Sequence, residues 1–122
     1  MKNCFICIFN SMFLIAISAN LTAHFSVPPR IQGSHLPAED LSVVVRQPLR
    51  IECLASGTPE PTMTWFKDGF ELDFNEARHI RIHPGGHILQ IMGATVEDAG
   101  KYMCSATNAA GKDTKLFKLD VY

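Results

Sequence analysis

The sequence lacks most of what marks a catalytic or nucleic-acid-binding protein. It has no charge excess: eleven Lys and Arg against twelve Asp and Glu leave a net charge of −1. That balance gives no electrostatic case for nucleic acid, for a polybasic membrane site or for a strongly acidic substrate. There is no G-x-S-x-G, no P-loop, no H-E-x-x-H and no Gly-rich nucleotide turn, so the common hydrolase, nucleotide and zinc-protease chemistries have no foothold. No catalytic residue, cofactor site or metal site is expected. No segment sustains a 3.6-residue apolar repeat, and there is no internal repeat, low-complexity tract or Gly/Ser linker. Beyond residue 27 no apolar run is long enough to cross a bilayer. At 122 residues the chain is one folded unit.

The apolar residues that are present crowd the start. Cys4 to Phe9 and Met12 to Ile17 are apolar runs behind Lys2, and small residues follow at Ser18, Ala19 and Ala23. This is the plan of a secretory signal peptide over residues 1–23, with cleavage after Ala23 or, second, after Ala19. An uncleaved anchor is the rival, weakened by Asn10, Ser11, Ser18, Asn20 and Thr22. A third reading is that these residues are foreign to the domain. Removal of 1–23 takes Lys2, Cys4 and Cys7 with it, which disposes of a redox reading of the Cys4–Cys7 spacing. Asn20-Leu21-Thr22 is a glycosylation sequon that survives only the earlier cleavage. Cys53 and Cys104 remain, and an even count in a secreted chain favours one disulfide.

Residues 24–122 read as short strands. Leu49, Ile51, Cys53 and Ala55 share one parity, as do Met63 and Trp65, Ile80 and Ile82, Leu89 and Ile91, then Tyr102, Cys104 and Ala106, and last Phe117, Leu119 and Val121. Ser56–Pro61, Asp68-Gly69, Pro84–Gly86 and Asn108–Gly111 are turns between them. Pro28-Pro29 reads as a semi-rigid lead-in. The pattern predicts an all-β sandwich or barrel.

Four residues decide between them. Trp65 follows Cys53 by twelve positions, and Tyr102 stands two before Cys104. That order and parity are the hallmarks of the immunoglobulin sandwich. Asp98-Ala99-Gly100-Lys101-Tyr102-Met103-Cys104 resembles the D-x-G-x-Y-x-C signature of immunoglobulin domains, and Trp65-Phe66-Lys67-Asp68-Gly69 resembles the corresponding I-set motif. Ala106–Gly111 is similar to the F–G corner of that set. Pro28–Ile31, Ala55–Thr62, His87–Ile91, Val96–Gly100 and Phe117–Val121 resemble the immunoglobulin repeats of hemicentins, large extracellular-matrix proteins.

The resemblance implies a Greek-key β-sandwich. In it Cys53 and Cys104 bridge the sheets, Trp65 packs on the bridge, Leu89 sits in the core, and the Tyr102 hydroxyl bonds backbone at the preceding corner. It also implies that Asp98 pairs with Arg78 or Arg81. Calcium binding in that family belongs to modules absent from this sequence and does not carry over. The function implied is extracellular adhesion or matrix architecture, as a repeat or fragment of a hemicentin-like protein. Its partners would be neighbouring immunoglobulin modules, matrix or cell-surface proteins, or a second copy. A free secreted single-domain binder of a receptor is the alternative, and an intracellular scaffold the third class.

Two clusters deserve placement. His79, His83 and His87 recur every four residues, but strand parity turns His79 and His83 outward and His87 inward, so no closed metal site is expected. Phe66, Met103 and Leu116 oppose the inward Trp65, Cys104 and Phe117. They should form an outward apolar centre ringed by Thr64, Ser105, Thr107 and Lys118, the composition of a contact surface.

Overall fold

A computed structural model describes residues 25–122. The segment expected to be a signal peptide, with Cys4, Cys7 and the Asn20 sequon, lies outside the described residues. Ten strands follow in order: β1 (Val27–Ile31), β2 (Glu39–Val43), β3 (Leu49–Glu52), β4 (Ala55–Thr58), β5 (Thr62–Lys67), β6 (Phe70–Glu71), β7 (Ile80–Ile82), β8 (Ile88–Ile91), β9 (Gly100–Asn108) and β10 (Gly111–Val121). A 3-10 turn, Val96–Asp98, precedes β9.

The strands form an all-β sandwich. One sheet runs β2-β10-β9-β5-β6, with β2 parallel to β10 and the other pairs antiparallel. Opposite it lie β3-β8-β7 and the pair β1-β4. Cys53 and Leu54 join β3 to β4, and Cys53 N–H donates to the His87 carbonyl at 2.7 Å, so the ladder continues past β3. The chain leaves the first sheet after β6, lays β7 and then β8, with β8 between β7 and β3, and returns through the 3-10 turn to β9. This is the Greek-key crossover of an immunoglobulin-like sandwich.

The period-two positions build the core. Ile51, Cys53, Leu89 and Ile91 from one layer and Trp65, Tyr102, Cys104, Ala106, Phe117 and Leu119 from the other are all buried. Burying a side chain such as Leu89 contributes about 1.5–3 kcal/mol, and the alternation places one on every second residue. The Cys53–Cys104 disulfide crosses between the layers with its Cα atoms 6.5 Å apart. Trp65 stands opposite Cys104 in register. Its ring stacks on Phe117, and its Nε1–H donates to the Gly86 carbonyl at 2.8 Å. Gly86 must be glycine there, because φ is 81° and a Cβ would sit 2.6 Å from Met63 Cβ.

Pro28 and Pro29 are not a lead-in ahead of the fold. They lie within β1, with Pro29 buried, at a register break between Val27 and Arg30. An edge strand with an irregularity is where a sheet tolerates residues without an N–H.

Candidate interaction face and the corner beneath it

The outward face of the five-stranded sheet is set by register. Phe66 of β5 is directly opposite Met103 of β9, and Met103 directly opposite Leu116 of β10. The three side chains therefore form one row across adjacent strands. Phe66 and Met103 are half-buried, and Leu116 is 50% exposed. They line a groove of about 710 Å³, along with Asp68, Lys101 and Lys118. Thr64 is half-buried, and Thr107 and Lys118 are exposed. Ser105 departs from the expected rim: it is 5% exposed. Outward parity fixes direction and not exposure, and Ser105 sits mid-strand between Thr64 and Thr114.

The charges beside the row are mixed. Lys101 and Lys118 are directly opposed across β9 and β10, and Asp40 of β2 pairs in register with Lys118. Like charges directly opposite disfavour the pairing. The Asp68 carboxylate is occupied with structure: its Oδ1 accepts the Lys101 N–H at 3.0 Å. Asp68 and Gly69 have φ of 52° and 89°, the backbone of a tight two-residue hairpin loop.

Beneath one end of this face lies the corner that fixes β9. The Tyr102 hydroxyl is buried and donates to the Asp98 carbonyl at 2.6 Å. Burial, reinforced by the charges of Asp98 and Asp68, raises the phenol's pKa well above its usual value of 10.0, which keeps it a neutral donor. The Asp98 carboxylate accepts the Thr95 N–H at 2.8 Å and meets His79 Nε2 at 2.8 and 2.9 Å. The expected partner, Arg78 or Arg81, is thus replaced by His79. His79 precedes β7, where strand parity no longer governs direction, so the ring turns toward Asp98 instead of outward. Arg78 donates to the Asn75 carbonyl, and Arg81 lies exposed within β7.

The other histidines are also engaged locally. His83 Nε2 meets Gln90 Oε1 at 3.0 Å, and His87 Nδ1 meets the Cys53 carbonyl at 3.1 Å. Among the described residues no group of three or more His, Cys, Asp or Glu could hold a metal ion. No helix among them is long and apolar enough to cross a membrane.

One further carboxylate ties β1 to β10. Asp113 Oδ2 accepts the Ile31 N–H at 2.8 Å and the Ser34 hydroxyl at 2.7 Å, and Oδ1 accepts the Thr114 N–H. Burial alone would raise its pKa, but those three donors and nearby Arg30 outweigh it and lower the value below 3.8.

The fold, the inter-sheet disulfide and the buried tyrosine corner define an immunoglobulin-type sandwich. The model of the immunoglobulin I-set domain family matches residues 34–121, and the chain belongs to that family. It is 43% identical over 102 residues to human hemicentin-1, covering 84% of this chain and 2% of the relative. To mouse hemicentin-2 it is 40% identical over 95 residues, 78% of this chain and again 2% of the relative. The chain therefore spans a small fraction of the length of the hemicentins it matches. Among solved structures it is similar to the Sidekick-1 immunoglobulin domains 1–4, with TM-score 0.70 and 29% identity over 78% of this chain and 24% of that one. A complex of titin M10 with an obscurin-like 1 immunoglobulin domain matches with TM-score 0.66 and 28% identity, over 79% of this chain and 95% of that one.

Proposed function

We propose that the chain is a non-catalytic extracellular module that binds proteins, in cell adhesion or matrix architecture, as one repeat of a hemicentin-like protein. The observation that carries the reading is the in-register row Phe66, Met103 and Leu116 on the open face of the five-stranded sheet. An apolar centre beside threonine, lysine and aspartate has the anatomy of a protein contact. Similarity to hemicentins supports an extracellular setting. The solved complex of titin M10 with an obscurin-like 1 immunoglobulin domain supports pairing between modules of this kind. The partners are neighbouring immunoglobulin modules, matrix or cell-surface proteins, or a second copy. The signal peptide at 1–23 delivers a domain of residues 24–122 to that compartment.

The test is Phe66→Glu, with self-association followed by sedimentation equilibrium and cell-surface binding by flow cytometry. The variant should keep its melting temperature and lose at least about tenfold in binding, as expected when a charge enters an apolar contact. Unchanged self-association and unchanged cell binding, with the fold intact, would overturn the assignment of this face. A saturable high-affinity receptor interaction by the lone domain would point instead to a free secreted binder, because arrayed modules work through avidity.

A further inference from the structure

The five-stranded sheet ends differently at its two edges. At one edge β6 is two residues long. At the other, β2 runs five residues, Glu39–Val43, in unbroken parallel register with β10. Just past that register the Tyr122 N–H donates to the Val43 carbonyl at 3.1 Å, and the Val45 N–H donates to the Tyr122 carbonyl at 2.7 Å. Val43 and Val45 thus turn main-chain groups toward β10. These groups alternate in direction along a strand, so those of Asp40, Ser42 and Val44 point away from the sheet. Among the described residues, the N–H and C=O of Asp40 and Ser42 and the N–H of Val44 have no hydrogen-bond partner. The Val44 carbonyl accepts the Gln47 N–H at 3.0 Å, and that turn closes the edge. From Asp40 to Val44 the open edge spans about 13 Å at the strand rise.

Asp40, Ser42 and Val44 are all exposed. The strand carries none of the devices that usually blunt an edge: no proline, no lysine and no bulge. Unpaired donors and acceptors in strand geometry are complementary to another extended backbone. The charges along this edge say which one. Glu39 is engaged, with Lys115 Nζ at 3.0 Å. Asp40 near the start and Arg46 just past the end are exposed and, among the described residues, have no ion-pair partner. An edge with a free acid at one end and a free base at the other complements itself when two copies run antiparallel. A parallel copy would set like charges side by side, which disfavours pairing.

We propose that the β2 edge pairs with the same edge of a second copy of this chain, about a two-fold axis at Ser42. The two Ser42 residues face each other and exchange both N–H to C=O bonds. The Val44 N–H of each copy donates to the Asp40 carbonyl of the other. Arg46 of each copy comes diagonally beside Asp40 of the other, the position from which long side chains still reach. Leu41 of one copy and Val43 of the other form the closely spaced, non-hydrogen-bonded pair. The axis makes every one of these contacts occur twice, and the two five-stranded sheets become one. This site uses main-chain groups in the plane of the sheet. The outward row of Phe66, Met103 and Leu116 uses side chains on its face, and neither site depends on the other.

The test is self-association of the disulfide-bonded protein, by sedimentation equilibrium at low salt and by NMR. A reversible monomer–dimer equilibrium is expected, with the Ser42 and Val44 amides exchanging more slowly as the dimer fills. A mixture of labelled and unlabelled protein should show a contact between the Leu41 and Val43 Hα atoms of different copies. Ser42→Pro removes an N–H that the fold does not use, at an edge where proline is tolerated. It should weaken association by about tenfold or more and leave the melting temperature in place. Arg46→Asp and Asp40→Lys should each weaken association alone, because each sets like charges together twice. An equimolar mixture of those two variants should restore it, because the mixed pair has opposite charges at both ends. If Ser42→Pro lowers the melting temperature, the mixture decides. A protein monomeric at every concentration would overturn the proposal, as would undiminished association of a folded Ser42→Pro or no recovery in the mixture. Association lost in Phe66→Glu and kept in Ser42→Pro would place the contact on the outward face and overturn the edge site.

Discussion

Reducing the Cys53–Cys104 bridge is the perturbation whose size can be worked most directly. The two cysteines are 51 positions apart and both are fully buried. Opening a loop of that length returns conformational entropy to the unfolded chain. The loop-closure relation puts this at about 4 kcal/mol at 25 °C. A domain of this size has about 5–15 kcal/mol of stability in all, so reduction removes a large part of it. At about 4–8 °C per kcal/mol, the melting temperature should fall by roughly 15–30 °C. The assay is thermal unfolding by circular dichroism, oxidised against fully reduced at one pH. Reduction is the cleaner perturbation, because a Cys53→Ala/Cys104→Ala variant also removes two buried sulfur atoms and adds a cavity term. A reduced protein melting within a few degrees of the oxidised one would refute the reasoning. It would mean that the interdigitated core, and not the constrained unfolded chain, supplies the margin.

Two further outcomes follow from the buried polar contacts. Tyr102→Phe leaves the Asp98 carbonyl without its donor and should cost about 1–3 kcal/mol, read as a lower urea midpoint at unchanged slope; an unchanged midpoint would show that water replaces the hydroxyl. Asp113 has a folded pKa below its ordinary 3.8, so its contribution to stability is present above that value and lost as pH falls through the folded one. The wild-type protein should therefore lose more stability than Asp113→Asn between pH 5 and pH 2, and parallel acid-unfolding curves for the two would contradict this.

What the sequence disclosed and what it hid divide along physical lines. Wherever a segment is a strand, a period of two fixes which side each residue takes. That is why Trp65, Cys104 and Phe117 could be set inward from the sequence, and Phe66, Met103 and Leu116 outward. The spacing of Cys53, Trp65, Tyr102 and Cys104 was legible because a two-layer sandwich needs those residues at those intervals. Parity falls silent at strand ends. His79 lies one residue before β7, and only the path of the returning chain decides that it meets Asp98. Burial is also beyond parity: Ser105 has the same outward sense as Met103 and is nearly inaccessible. The Pro28-Pro29 pair reads as a junction in isolation, because nothing local announces that β4 will accept it at an irregular edge.

One strand also serves two surfaces at once. Trp65 presents its ring to the core and stacks on Phe117, while Phe66 presents its ring to the opposite face, because successive strand residues point to opposite faces. A substitution at Phe66 therefore alters the outward face and leaves the packing of Trp65 in place.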